Sequence, residues 1–292
     1  MNTPNDVMRL LLLLVVAVVV VVVVAAGRTF DCVTFNGEFE MLEVRVLTLR
    51  SLVDVFVVLE DDTTYTNKPK PRYLQQALDE GTHPVLTSIR NRLRIVPGPK
   101  AHVGNAWAVE TASRNALKTG LWDAQPNDYV LISDIDEIPK PDALRSVLKR
   151  SPVSSHGFMC VHYYWNFGWR NANKQYGMPV LYRYDKLRNM QMQSAFRVAT
   201  HRSEHACWHC AFGFGPSVDA AVRQAIVKMH SFSHSEYDRS PYIDYEYMRD
   251  SLLRGLSPVR TETFVAVNAS EEAPPAVLLS SKYSFLLGKY MK

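Results

Sequence analysis

The chain has 292 residues, a formal net charge of +4, and 47% hydrophobic and 21% charged residues, close to ordinary globular values, which excludes a disordered or fibrous protein. No block of like charge stands out, which argues against nucleic acid as the main partner. Behind a short N-terminal segment the length suits one large domain or a tight pair, because single cores grow to roughly 250 residues before splitting.

In chain order, the first element is Leu10 to Ala26, seventeen uninterrupted Leu, Val and Ala residues between Arg9 and Arg28. At about 1.5 Å per residue the run spans about 26 Å, near the roughly 27 Å of an ER bilayer. It reads as a single transmembrane signal anchor over 10–27, with a cytoplasmic tail over 1–9 and a folded domain over 28–292. The alternative is a cleaved signal peptide ending near Ala25-Ala26-Gly27, although its apolar region is typically only about 7–15 residues.

Thr29 to Thr34 reads as a strand, and Glu38 to Leu52 as a helix with Leu42, Val46 and Leu49 on one face. Asp54 to Glu60 is a β-branched and aromatic run, the pattern of a strand buried on both faces of a parallel sheet. A polar loop from Asp61 to Arg72 follows, stiffened by Pro69 and Pro71. Leu93 to Val96 reads as a strand, Asn105 to Thr119 as an amphipathic helix, and Asp128 to Ser133 as a fourth strand. This alternation predicts an α/β fold, a Rossmann-type sheet with flanking helices. Residues 28–140 then form a nucleotide-binding half and 141–292 an acceptor half. In the second half, Gly157 to Trp169 is aromatic and strand-like, and Tyr242 to Gly255 and Ser281 to Leu287 read as helical.

Ser133-Asp134-Ile135-Asp136-Glu137-Ile138-Pro139 closes the fourth strand. In extended chain, residues two apart point the same way, so Asp134 and Asp136 present carboxylates together while Ile135 turns inward. Open α/β sheets bind ligands at this strand end. Two hard oxygen donors there suit Mn²⁺ or Mg²⁺, and there is no GxxxxGK loop to supply positive charge instead.

Several segments, in this order, resemble glycosyltransferase family 17, a family of N-acetylglucosaminyltransferases. They are Phe30-Asp31-Cys32-Val33-Thr34-Phe35-Asn36-Gly37-Glu38 with Leu42-Glu43-Val44-Arg45, Val53 to Glu60, Lys68-Pro69-Lys70-Pro71, Asp128 to Pro139 and Trp208-His209-Cys210. The resemblance implies a GT-A-like fold, UDP-N-acetylglucosamine (UDP-GlcNAc) as donor, Mn²⁺, inversion at the anomeric carbon, a glycan or glycoprotein acceptor, and a single-pass type II protein of the Golgi or ER membrane whose catalytic domain is luminal. Two other readings stand beside it: a transferase using another nucleotide sugar, and a catalytically silent glycan-binding protein.

The remaining candidates each carry two readings. Glu60 is a donor contact or part of a solvated acidic turn; Lys68 and Lys70 meet the diphosphate or acceptor, or only solubilise their loop. Arg114 points at the diphosphate or pairs with Glu110 on the helix surface. Glu38, Glu43 and Arg45 contact substrate, or form a buried Glu–Arg pair that fixes the first turn. His234 is a third metal ligand or a surface histidine. His162 to Trp169 stacks on acceptor sugars or packs the core. Glu137 is the nearest carboxylate to serve as catalytic base. Cys207 and Cys210 are half a zinc site, a redox pair or disulfide partners, structural disulfides being favoured in an oxidising lumen. Asn268-Ala269-Ser270 matches an N-glycosylation acceptor.

Overall fold

The structure is a computed structural model that describes residues 27–99, 104–260 and 262–289. Apart from Gly27, the expected tail and membrane anchor lie outside the described residues, among which no helix is long and apolar enough to cross a membrane.

The first half is built as its periodicity predicts. Four parallel strands, β1 (Thr29–Phe35), β2 (Val55–Glu60), β3 (Leu93–Pro97) and β4 (Tyr129–Ile132), lie in the order β3-β2-β1-β4. Helices α1 (Phe39–Leu49), α2 (Tyr73–Glu80) and α3 (Ala106–Ala116) occupy the connections. Alternate residues of each strand enter two different cores: Val33, Phe56, Val58 and Leu131 face α1, while Phe30, Cys32, Val57 and Ile132 face the short helical turns around Leu117 and Met192. Burial on both faces is why these strands read as continuous apolar runs. From β1 the chain lays strands first on one side and then, with β4, on the other. That reversal lies at the carboxyl ends of β1 and β4, the usual ligand position in such sheets.

Beyond β4 the sheet turns antiparallel. The elements are β5 (Glu137–Pro139), α4 (Pro141–Lys149), β6 (His156–Tyr164), β7 (Trp169–Gln175), β8 (Val180–Arg183), β9 (His201–Ala211), α5 (Val218–Ser231), α6 (Tyr245–Arg254) and β10 (Phe264–Ala266). β8 pairs antiparallel with β4, and β6, β7 and β10 extend the sheet outward. β9 lies parallel to β6 and antiparallel to β5. The two expected halves therefore share one continuous sheet.

Two expectations for the second half are corrected. Most of the aromatic run is core: β6 ends at Tyr164, and Tyr163, Trp165 and Phe167 are 1%, 0% and 0% exposed, so of its rings only Trp169 is partly exposed. Cys207 bonds to Cys160 across the β6–β9 pair, while Cys210 and Cys32 are free and buried. Cys207 and Cys210 are thus neither partners nor half a zinc site, and among the described residues no group of three or more His, Cys, Asp or Glu is arranged to hold a metal ion.

Candidate active site

β4 stops at Ile132 because the next residues bend: Glu137 N donates to Asp134 O, closing a turn over Ile135 and Asp136. Ile135 is buried in the core as expected, but the flanking carboxylates sit on a turn rather than on extended chain.

Arg45 of α1 fixes that turn. Its guanidinium is wholly buried and donates to Glu137 O at 2.7 Å, Asp134 O at 3.2 Å and Ser133 Oγ at 2.7 Å. Asp31 of β1, also wholly buried, holds the same guanidinium bidentately at 2.6 and 2.7 Å. A fully hydrogen-bonded, bidentate Arg–carboxylate pair is the arrangement in which a buried charge is tolerated. The expected Glu–Arg pair is corrected here, since Glu43 instead takes His83, Lys282 and the Tyr283 hydroxyl. Glu38 accepts from the Asn36 amide within the β1–α1 turn.

Four cationic or protonatable groups surround the turn. Arg114 of α3 reaches Asp134 Oδ1 at 2.8 Å, pairs with Glu110 at 2.9 Å and lies over the Phe196 ring. Arg197 contacts Asp134 Oδ2 at 3.1 Å and also Glu137 Oε1. Lys228 of α5 and His209 of β9 approach the two oxygens of Asp136 at 3.4 and 3.6 Å. Burial alone would raise Asp136, but Lys228 and His209 hold it well below the ordinary carboxylate range. Burial lowers Lys228 and His209, yet Asp136 outweighs it and raises both. Glu137 is the opposite case: burial lifts its carboxyl above the ordinary value against the pull of Arg197.

Gly177 permits this packing. It adopts φ +92°, and a Cβ there would come within 2.5 Å of Glu137 Oε1 and 3.0 Å of His209 Nδ1. Only glycine combines that backbone with that proximity.

The structure brings Asp134, Asp136, Glu137 and Arg114 together and disperses the other candidates. Glu60 accepts from the backbone amides of Leu74 and Gln75 at 2.6 and 3.0 Å, so both its oxygens cap the start of α2. Lys68 is exposed, pairs with Asp238 at 3.2 Å and donates to His230 O at 3.4 Å, tying its loop to the end of α5 and the segment after it. Lys70 Nζ is buried without a hydrogen-bond partner among the described residues, and burial lowers its pKa against the pull of Glu60, Asp61 and Glu38. His234 bonds to Glu236 at 2.7 Å and meets the Trp107 ring, whereas the histidine beside Asp136 is His209. Glu137 is fully buried, with Arg197 on one oxygen and the Asp134 amide at 3.4 Å from the other, so in this structure it braces Arg197 rather than facing open solvent. Arg197 and Lys228 are the site residues the sequence candidates lacked, whereas His209 belongs to the Trp208-His209-Cys210 segment. Lys228 lies where Ser217 precedes Ala221, Val222, Ala225 and Met229, a capped helical period.

A sequence model of Glycosyltransferase family 17 matches residues 8–259. The chain is 26% identical over 306 aligned positions to the beta-1,4-mannosyl-glycoprotein 4-beta-N-acetylglucosaminyltransferase of Homo sapiens, covering 90% of this chain and 54% of that one. The protein of the same name from Rattus norvegicus matches at 26% identity, with 90% and 53% covered. The chain spans about half the length of the curated relatives it matches. Among solved structures, a 2-C-methyl-D-erythritol 4-phosphate cytidylyltransferase from Francisella tularensis overlaps at a TM-score of 0.35 and 9% identity, covering 62% of this chain and 91% of that one.

Proposed function

The chain belongs to glycosyltransferase family 17, and from that premise we propose that it transfers N-acetylglucosamine from UDP-GlcNAc to a hydroxyl of a glycan or glycoprotein, with the Ser133–Glu137 turn as the site that receives the donor diphosphate. The observation that carries this reading is the turn itself: two carboxylates at the reversal point of the sheet, ringed by Arg114, Arg197, Lys228 and His209. The names of the matched relatives support the sugar and the acceptor class.

A divalent cation, Mn²⁺ or Mg²⁺, fits this donor set. Ions of this kind are commonly held by one or two carboxylates with substrate phosphates completing the shell. The contacts of Asp136 with Lys228 and His209, at 3.4 and 3.6 Å, are longer than the about 2.7–2.9 Å of a tight charge-assisted bond, so its oxygens retain capacity for a further ligand. Asp134 and Asp136 would hold the ion, which when bound stabilises the negative charge that grows on the departing diphosphate.

The protein groups act on the same charge. Arg114 and Arg197 stand on opposite oxygens of Asp134 and hold it in place; Arg114 is also bonded to Gln193 and Glu110, and the more exposed Arg197 is the better placed of the two to meet a phosphate. The Cys160–Cys207 bond and the exposed Asn268 of an acceptor triplet support a domain facing the oxidising lumen of the ER or Golgi.

The test is a donor screen. The full chain is incubated with UDP-GlcNAc, UDP-galactose or GDP-mannose, with Mn²⁺ and no acceptor, and nucleotide release is measured. Faster release from UDP-GlcNAc, lost in Asp134→Ala, is expected; preferential turnover of another donor would overturn the sugar assignment.

A further inference from the structure

The aromatic run of β6 is mostly buried, and a second set of rings lies nearer the acidic turn. Trp107 sits at the start of α3 with 47% of its surface exposed. It precedes Arg114 by two helical turns, so both lie on nearly the same face, about 10 Å apart along the axis. Arg114 touches Asp134, so Trp107 lies near the site, toward the start of α3. From Trp107 a row of partly exposed rings leads away: His234 at 4.6 Å, Tyr237 at 5.9 Å from His234, Tyr242 at 5.1 Å from Tyr237, and Tyr247 at 6.1 Å from Tyr242.

The row is rigid. The inner sides of Tyr237, Tyr242 and Tyr247 pack against the core built by Val222, Met248 and Leu252. Its near end is tied to the site through α5, whose Lys228 reaches Asp136 and whose Ser231 side chain accepts from Asn36 Nδ2 at 2.9 Å. Exposed Glu236 and Arg239 interleave with the rings. Partly exposed rings, set mostly edge to face with one another and alternating with hydrogen-bonding side chains, match a pyranose, which has apolar C–H faces and an equatorial rim of hydroxyls. A lipid or a second apolar protein face would not use that alternation.

We infer that Trp107, His234, Tyr237 and Tyr242 form the binding strip for the acceptor oligosaccharide, leading successive sugar rings away from the Asp134 site. This deepens the transferase reading and rests on it for the word acceptor; the saccharide strip itself stands on the rings.

The probe is a soluble oligosaccharide carrying a β-1,4-linked mannose, titrated calorimetrically into the full chain, with UDP plus Mn²⁺ titrated separately. Trp107→Ala and Tyr237→Ala are expected to weaken oligosaccharide binding about tenfold each, and Trp107→Phe about threefold or less, because a stacking ring remains. UDP affinity should match wild type in all three, which also reports an intact fold. Equal oligosaccharide affinity in wild type and Trp107→Ala, or no binding by wild type, would overturn the strip. So would a loss of UDP binding in Trp107→Phe, which would place the ring in the nucleotide subsite. A wild-type chain that binds the oligosaccharide through Trp107 but turns over no nucleotide sugar supports the strip and removes the transferase reading alone.

Discussion

Replacing Arg45 by Met tests what holds the acidic turn. The substitution keeps an unbranched apolar side chain on α1 but leaves the wholly buried Asp31 carboxylate without its partner. It also strips donors from Glu137 O, Asp134 O and Ser133 Oγ. Removing one member of a buried, hydrogen-bonded ion pair costs about 3–5 kcal/mol, a large share of the about 5–15 kcal/mol that stabilises a typical domain. Arg45→Met should therefore lower the urea midpoint sharply. In the double variant Asp31→Leu/Arg45→Met no unpaired charge remains, and much of the stability should return; the turn carbonyls stay unsatisfied, at about 1–3 kcal/mol for a buried group. Urea titration of both variants, with nucleotide release from UDP-GlcNAc measured alongside, separates stability from positioning. The double variant should be folded yet slow. Full donor turnover by the double variant, or a single-variant cost below about 1 kcal/mol, would refute the claim that this pair sets the turn.

Two further outcomes follow from the same contacts. Non-reducing peptide mapping should recover Cys160 linked to Cys207, with Cys32 and Cys210 alkylated only after unfolding; Cys207→Ser should cost about 2–4 kcal/mol and Cys210→Ser much less, and a linked Cys207–Cys210 peptide would contradict the pairing. Asp136 has a folded-state pKa depressed below its unfolded value, so its contribution is complete above about pH 4 and drains as pH falls toward the folded pKa. Without metal, Asp136→Asn should flatten the fall in urea midpoint between about pH 4 and pH 2; an acid limb identical to wild type would show that Lys228 and His209 do not stabilise the carboxylate.

The parts of this molecule that were legible in the sequence are those where one local pattern has one physical solution. Val55–Leu59 is apolar throughout because both faces are covered, and Tyr129–Ile132 is followed by carboxylates because the chain turns there at the sheet's ligand-binding edge. What escaped depends on contacts between distant segments. Arg197 lies 63 residues from Asp134 and Lys228 lies 92 from Asp136, and no local period announces either meeting. The disulfide joins residues 47 apart, so the nearby Cys210 was a misleading partner for Cys207. The outer half of β9 is exposed and polar, which hides a strand whose inner half carries Cys207 and His209. Glu60 shows the converse, a strand-end acid whose position matches a ligand contact but whose oxygens are taken by the amides of α2.

The most direct measurement is UDP affinity by calorimetry on the full chain, in Mn²⁺ and in EDTA, for wild type, Asp134→Ala and Asp136→Ala. Wild type should bind at least about tenfold tighter with Mn²⁺, a difference of about 1.4 kcal/mol, and both variants should lose that gain while keeping their fold. Equal affinity in Mn²⁺ and EDTA, or variants that bind UDP as wild type does, would contradict the assignment of the turn to the donor diphosphate.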